Sequence, residues 1–331
     1  MEQSVAGLNR DTADANNAVQ KLDAAAMQKE VEANREIKQE TFNQAVKFTD
    51  EAYKKIFLEQ AVMYVILTDE NGKVIMDEDK GGIPKTRMLT PDEKFQLQPG
   101  SDNKVHIATN GIFNDEIAAG KYANQHNTGD GPQYLIHFPE ANNTISELMI
   151  AGYQNYLEGT TLGLSNATKD VKDMMELYGQ TGLHLDGHSR GSMTIGNAME
   201  ALLAQTDSNG ELSNTTINFF GPAYNAIKAD GILSLLQGRE AVSDTATYND
   251  MILKMQNHYA DSVGVLIGHN STTGGVVPAD SSRIFEMFNV IFGKNTSHNC
   301  YELRPVDCAK YWTDSPSGFP NFGPVTPLRN K

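Results

Sequence analysis

The chain has 331 residues, of which 39% are hydrophobic and 21% charged, with a formal net charge of −15 and an isoelectric point near 4.9. That length allows one large domain or two modest ones, each able to bury a core. The acidity excludes nucleic acid, whose phosphates need a basic footprint, and also adsorption to anionic lipid by charge alone.

No run approaches the roughly 18 apolar residues of a spanning helix. The N-terminus also lacks a basic start followed by an apolar core, so the sequence predicts neither a membrane span nor a signal peptide, and export would be directed from outside this chain. Residues 9–55 are rich in Gln, Glu, Asn, Lys and Ala, with sparse apolar positions such as Val19, Leu22, Met27, Val31, Ile37, Phe42 and Val46. They read as polar helices with a thin apolar stripe, too little to form a core, and so as a helical extension or docking segment over 1–60. The apolar run 61–67, the turn Asp69-Glu70-Asn71-Gly72 and residues 73–76 predict a β-hairpin. Residues 77–103, rich in Gly, Pro and charge, read as a linker that completes a middle segment, 61–103.

From 104 to 331 short apolar runs alternate with helical periodicity, the pattern of a mostly parallel sheet flanked by helices and hence of an α/β domain. The predicted strands are 105–109, 134–138, 183–186, 216–220 and 262–267. The predicted helices are 145–157, 169–178, 192–204 and 284–292. Behind the first strand come Asn110-Gly111-Ile112-Phe113-Asn114, where glycine permits close approach of the backbone. The amides of Gly111 and Ile112 are therefore candidate oxyanion donors, against the plainer reading of a βα turn.

Gly187-His188-Ser189-Arg190-Gly191 stands between a predicted strand and a predicted helix. A serine exposed on such a turn is a candidate nucleophile, and the Arg190 amide, opening the helix, a candidate oxyanion donor. A bare Gly-Ser connection would also carry the pentapeptide. A serine hydroxyl needs a histidine to take its proton and a carboxylate to orient that histidine. Asp261, beside the apolar run 262–267, is the candidate acid ahead of Asp244 and Asp280, which sit in Ser/Thr/Ala-rich stretches. His298 is the candidate base, with His269 as the alternative; His258 lies too near Asp261 in sequence. Residues 284–292 are apolar on more than one face and read either as a buried helix or as a lid or acyl-chain wall. Cys300 and Cys308, the two cysteines, are too few for a disulfide framework and form either one small staple or two thiols. No Cys/His group has zinc spacing, so no metal and no cofactor is expected.

The Gly-His-Ser-Arg-Gly elbow, the Asp261-Ser262-Val263 turn and Ser297-His298 together resemble the α/β-hydrolase superfamily, in particular the class 3 type lipases, over about 105–311. The resemblance implies Ser189 as nucleophile, Asp261 as acid, His298 as base, and a lipase or phospholipase activity on carboxylic esters. Gly7-Leu8-Asn9-Arg10-Asp11-Thr12, Lys21-Leu22-Asp23 and Met27-Gln28-Lys29 resemble the segment before the toxin in bacterial contact-dependent growth inhibition effectors and haemagglutinin-repeat adhesins. That likeness implies a secreted or cell-surface effector delivered into competing bacteria, transient contact with their membrane, and a cognate immunity protein. A soluble esterase or thioesterase and a non-enzymatic adhesin tail are the competing readings.

Overall fold

The computed structural model describes Glu40, Asn43 and residues 47–80, 82–112, 114–126, 131–159, 163–205, 208–224 and 226–238, together with the backbone of 255–259. The chain divides into the units Met1–Asp50 and Glu51–Lys331, and all the strands lie in the second. Most of the expected N-terminal extension therefore lies outside the described residues.

The centre of the sheet is buried on both faces, one lined by Val105, Ile107, Leu183, Leu185, Ile217 and Phe219, while buried polar residues such as His106, His184, Asp186 and Asn218 alternate with them. Every residue is buried in β5 (Val105–Thr109), β7 (Leu183–His188) and β8 (Thr215–Phe220). With β6 (Gln133–His137) and β9 (Met255–Tyr259) these strands run parallel, β5 pairing with both β6 and β7 and β8 with both β7 and β9. The whole is a seven-stranded mixed sheet in the order β4-β1-β6-β5-β7-β8-β9, in agreement with the expected α/β class.

The antiparallel edge corrects two expectations. β1 (Val62–Ile66) does not fold back on 73–76; it lies between β6 and β4 (Thr86–Met88), antiparallel to both. The Asn-Gly turn does close, with Ile75 N–H donating to Leu67 O at 2.9 Å. The chain then leaves this narrow ladder, because β2 (Met76–Asp77) pairs with β3 (Ile83–Pro84) instead. The expected linker thus supplies Asp77 of β2 and the whole of β3 and β4. The edge strand β4 exposes Arg87 and Met88, so its Gly- and charge-rich surroundings carried no period-two signal.

Helices pack on both faces. On one, α2 (Thr144–Tyr156), α3 (Asn166–Tyr178) and α4 (Arg190–Leu203) join a core containing Ile107, Leu185, Ile217, Phe219, Ile150, Val171, Met175, Ile195 and Met199. Asn143 and Ser165 cap α2 and α3, accepting from the amides of Ser146 and Thr168, which satisfies donors that open helix ends leave unpaired. On the other face α1 (Glu116–His126) presses Ala119 and Ala123 onto Ala108, Leu135, Tyr64 and Ile66. Neither α1 nor α5 (Ala226–Leu236) is predicted from sequence. The inward face of α1 is alanine rather than large apolar residues, which weakens its periodic signal.

One consequence matters for function. The chain leaves β5 toward β6 on one side and returns to β7 on the other, so two neighbouring parallel strands send their carboxyl ends to opposite faces, through α1 and α4. In open α/β sheets such a switch point leaves a crevice at the carboxyl ends of those strands.

Candidate active site

Ser189 stands at that switch point, between the last residue of β7 and the first of α4. Its backbone has φ 51° and ψ −117°, a conformation costly for a residue with a Cβ. Among the described non-glycine residues only Asn103 shares its positive φ. The glycines on either side are steric necessities. A Cβ on Gly187 would meet Ile195 Cδ1 at 2.9 Å and Ser192 Cα at 3.0 Å, and one on Gly191 would meet Thr109 O at 2.5 Å. Strand β5 and helix α4 therefore touch through bare backbone, and any side chain at 191 would push them apart.

The turn is held from below. Ser189 N–H donates to Phe220 O at 2.9 Å, and Ser189 O accepts from Ser192 N–H at 3.0 Å and from the Ser192 hydroxyl at 2.6 Å. Ser192 Oγ in turn accepts from the amides of Ala223 and Tyr224 at 2.9 and 3.1 Å. The loop after β8 thus fastens the serine in place, a constraint that offsets the strain of its backbone.

Across the crevice, Gly111 comes against the serine: its missing Cβ would fall 3.2 Å from Ser189 Cβ. The loop after β5 is braced by two asparagines. Asn110 Oδ1 accepts from Phe138 N–H at 2.7 Å, and Asn110 Nδ2 donates to Gly111 O at 3.1 Å. Asn114 Oδ1 accepts from Gly111 N–H at 3.2 Å. The Gly111 amide is therefore engaged, while Ile112 N–H has no acceptor among the described residues. Arg190 N–H, the first of α4, has no carbonyl one turn back within the helix to bond. The Arg190 amide thus follows Ser189 directly at the opening of α4, and the Ile112 amide follows Gly111.

The Arg190 side chain turns inward and is fully buried. Its Nη1 donates to Glu147 Oε1 at 2.5 Å, its Nη2 to Gly111 O at 3.4 Å, and its guanidinium lies 4.3 Å from the centre of the Phe138 ring. Glu147 Oε2 accepts from Ala141 N–H at 2.9 Å. Burial pulls the Arg190 pKa down, opposed by the Glu147 charge. Burial also pushes the neighbouring Glu140 carboxyl up, helped by the like charge of Glu147. The sequence does not announce this pair, although one acid inside Ile145-Ser146-Glu147-Leu148-Met149-Ile150 was a signal: a charge amid apolar residues needs a partner.

Histidines upstream of the elbow are taken up by the scaffold. His184 bonds Thr216 Oγ1 at 2.7 Å and Asp186 Oδ1 at 3.1 Å, His106 Nε2 bonds Asp102 at 3.1 Å, and His137 Nε2 bonds Asn114 O at 3.0 Å. Burial pulls the His137 pKa down. His188 stacks on Tyr122 with centroids 4.8 Å apart, and His126 on Phe220 at 3.7 Å.

No family model, curated protein or solved structure matches this chain. The site therefore rests on its own geometry, which sets Gly111 against Ser189 and engages the Gly111 amide with Asn114. Asp261, His298, His269, both cysteines and the apolar segment 284–292 lie outside the described residues. The strand expected at 262–267 lies there too; β9 ends two residues before Asp261.

Proposed function

We propose that the chain is a serine hydrolase of carboxylic esters with an α/β-hydrolase-like core, acting as a lipase or phospholipase. The observation that carries this reading is Ser189: a serine held at φ 51° between a central parallel strand and a helix, with Gly111 of the neighbouring loop against it. Serine gains nothing structurally from that conformation, and strain of this kind collects where chemistry uses it.

In the reaction, His298 takes the Ser189 proton while Oγ attacks the ester carbonyl, and Asp261 orients the imidazole and stabilises its charged form. The carbonyl electrons move onto oxygen, which the N–H groups of Arg190 and Ile112 stabilise. The imidazolium returns its proton to the departing alkoxide, leaving an acyl-serine that water hydrolyses by the same steps in reverse. Two features support the acid and base. The upstream histidines His106, His137 and His184 already hold scaffold partners, and Asp261 follows the end of a strand parallel to β8.

The lipolytic form of the reading is supported by α2. Its outward face presents Ile145, Leu148, Met149, Tyr156 and Leu157, each at least 39% exposed, and its one charged residue, Glu147, is buried. An uncharged apolar face at the surface of a chain of net charge −15 suits a neutral or zwitterionic lipid surface better than a soluble substrate. The class 3 lipase likeness of the Ser, Asp and His motifs, and the growth-inhibition likeness of the N-terminal segment, extend this to an effector toxin that a cognate immunity protein neutralises. The alternative is a soluble esterase.

The test is fatty acid release from phosphatidylcholine vesicles by the chain and by Ser189→Ala, both confirmed folded. Release that disappears with the serine is expected. Absence of release with retained turnover of short soluble esters would replace the phospholipase with the esterase; absence of both would overturn the reading.

A further inference from the structure

The geometry points to Arg190 as a positioning residue whose buried guanidinium, anchored by Glu147, aims the Ile112 N–H at the oxyanion. The inference rests on Ser189 being the nucleophile and adds to that reading a side chain that the triad does not contain.

A peptide unit is planar and trans, so its C=O and N–H point in opposite directions. The carbonyl of Gly111 and the N–H of Ile112 belong to the same unit. Whatever pulls the Gly111 carbonyl in one direction therefore points the Ile112 amide in the other. Arg190 Nη2 and Asn110 Nδ2 hold that carbonyl from 3.4 and 3.1 Å, on the buried side, while the position a Gly111 Cβ would take lies 3.2 Å from Ser189 Cβ. The next amide is thus directed away from the interior. Without a donor below, the unit could rotate and satisfy its carbonyl elsewhere, and a glycine at 111 puts no Cβ in the way of that rotation.

The guanidinium itself is held in place from its other side. Its other terminal nitrogen is bonded to Glu147 Oε1 at 2.5 Å, its plane rests on Phe138, and the second Glu147 oxygen is tied to the Ala141 amide. One residue thus governs both donors: its backbone supplies one N–H, and its side chain sets the direction of the other. Lysine cannot do this, because an ammonium group lacks the planar fork that reaches a carboxylate and a carbonyl together.

The experiment compares the full chain with R190K and E147Q, reading short-ester kcat and KM per site titrated with a fluorophosphonate. The wild-type chain is first shown to lose both turnover and labelling on Ser189→Ala; failure there overturns the nucleophile and this inference together. With the nucleophile confirmed, R190K is expected to keep its titratable sites and a KM within about twofold, and to lose roughly 10- to 100-fold in kcat, somewhat less than outright removal of an oxyanion donor. E147Q, which keeps the shape and one acceptor oxygen, is expected to lose about tenfold and carries the comparison if R190K does not fold. A kcat per titrated site equal to wild type in either variant overturns the positioning role. So does the disappearance of titratable sites in both, which would make the pair purely structural.

Discussion

Replacing Ser189 by glycine separates strain from chemistry. The serine backbone sits at φ 51°, ψ −117°, outside the left-handed helical well as well as the ordinary regions, and such conformations cost about 1–3 kcal/mol in a residue with a Cβ. Glycine removes that cost but loses more unfolded-state freedom on folding, about 0.5–1 kcal/mol. The net expectation is a Ser189→Gly protein more stable than wild type by about 0.5–2 kcal/mol, seen as a Tm higher by about 1–6 °C for a domain of this size. Ser189→Ala keeps the Cβ, hence the strain, and should melt close to wild type. Both should be inactive on esters. Calorimetry of the three proteins at one pH, with urea titration as a second measure, decides the matter. A Ser189→Gly protein no more stable than Ser189→Ala would show that the elbow stores no strain and would remove the main support for Ser189 as a nucleophile.

Two glycine-to-alanine changes in helices should move stability in opposite directions: Gly152→Ala in α2 meets nothing within 4 Å and should stabilise by about 0.5–1 kcal/mol, whereas Gly191→Ala drives a methyl to 2.5 Å from Thr109 O and should destabilise by about 1–3 kcal/mol. Urea midpoints test both, and equal effects would deny the backbone contact between β5 and α4. Leu148→Glu together with Met149→Glu on the exposed face of α2 should leave hydrolysis of short soluble esters intact and cut release from vesicles at least about tenfold; parallel losses on both substrates would show that the face serves folding instead. Burial pushes the phenols of Tyr64, Tyr122 and Tyr153 up to about 12. Because the fold favours the protonated form, their contribution is complete below the ordinary phenol pKa of 10 and is lost as pH rises from 10 toward 12. The urea midpoint should fall across that window, and less steeply in Tyr122→Phe; an unchanged slope would remove Tyr122 as a cause.

The strands β5, β6, β7 and β8 were legible in the sequence as short stretches rich in apolar and β-branched residues, although polar residues such as His106, Gln133, His184, Asp186 and Asn218 interrupt them, and the elbow was legible because its glycines answer local needs of backbone geometry. The helices α2, α3 and α4 announced themselves by period, while α1 did not, since alanine suffices to fill the space between it and the sheet. β4 could not be read from 77–103 because an exposed edge strand of three residues draws its stability from the partner strand β1, distant in sequence. The Asn-Gly turn closed as its residues require, with Thr68 bridged to Val74, but β1 found its ladder partners in β4 and β6.

The sequence alone thus determined where the serine turn stands between strand and helix and which stretches alternate as strands and covering helices, since these follow from neighbours along the chain. Only the tertiary structure decided that Gly111 comes against Ser189, that Asn114 engages its amide, and that Arg190 and Glu147 meet 43 positions apart in the interior. Those contacts join loops whose spacing in sequence carries no imprint of their distance in space, and a buried charge finds its partner only once the chain has folded around it.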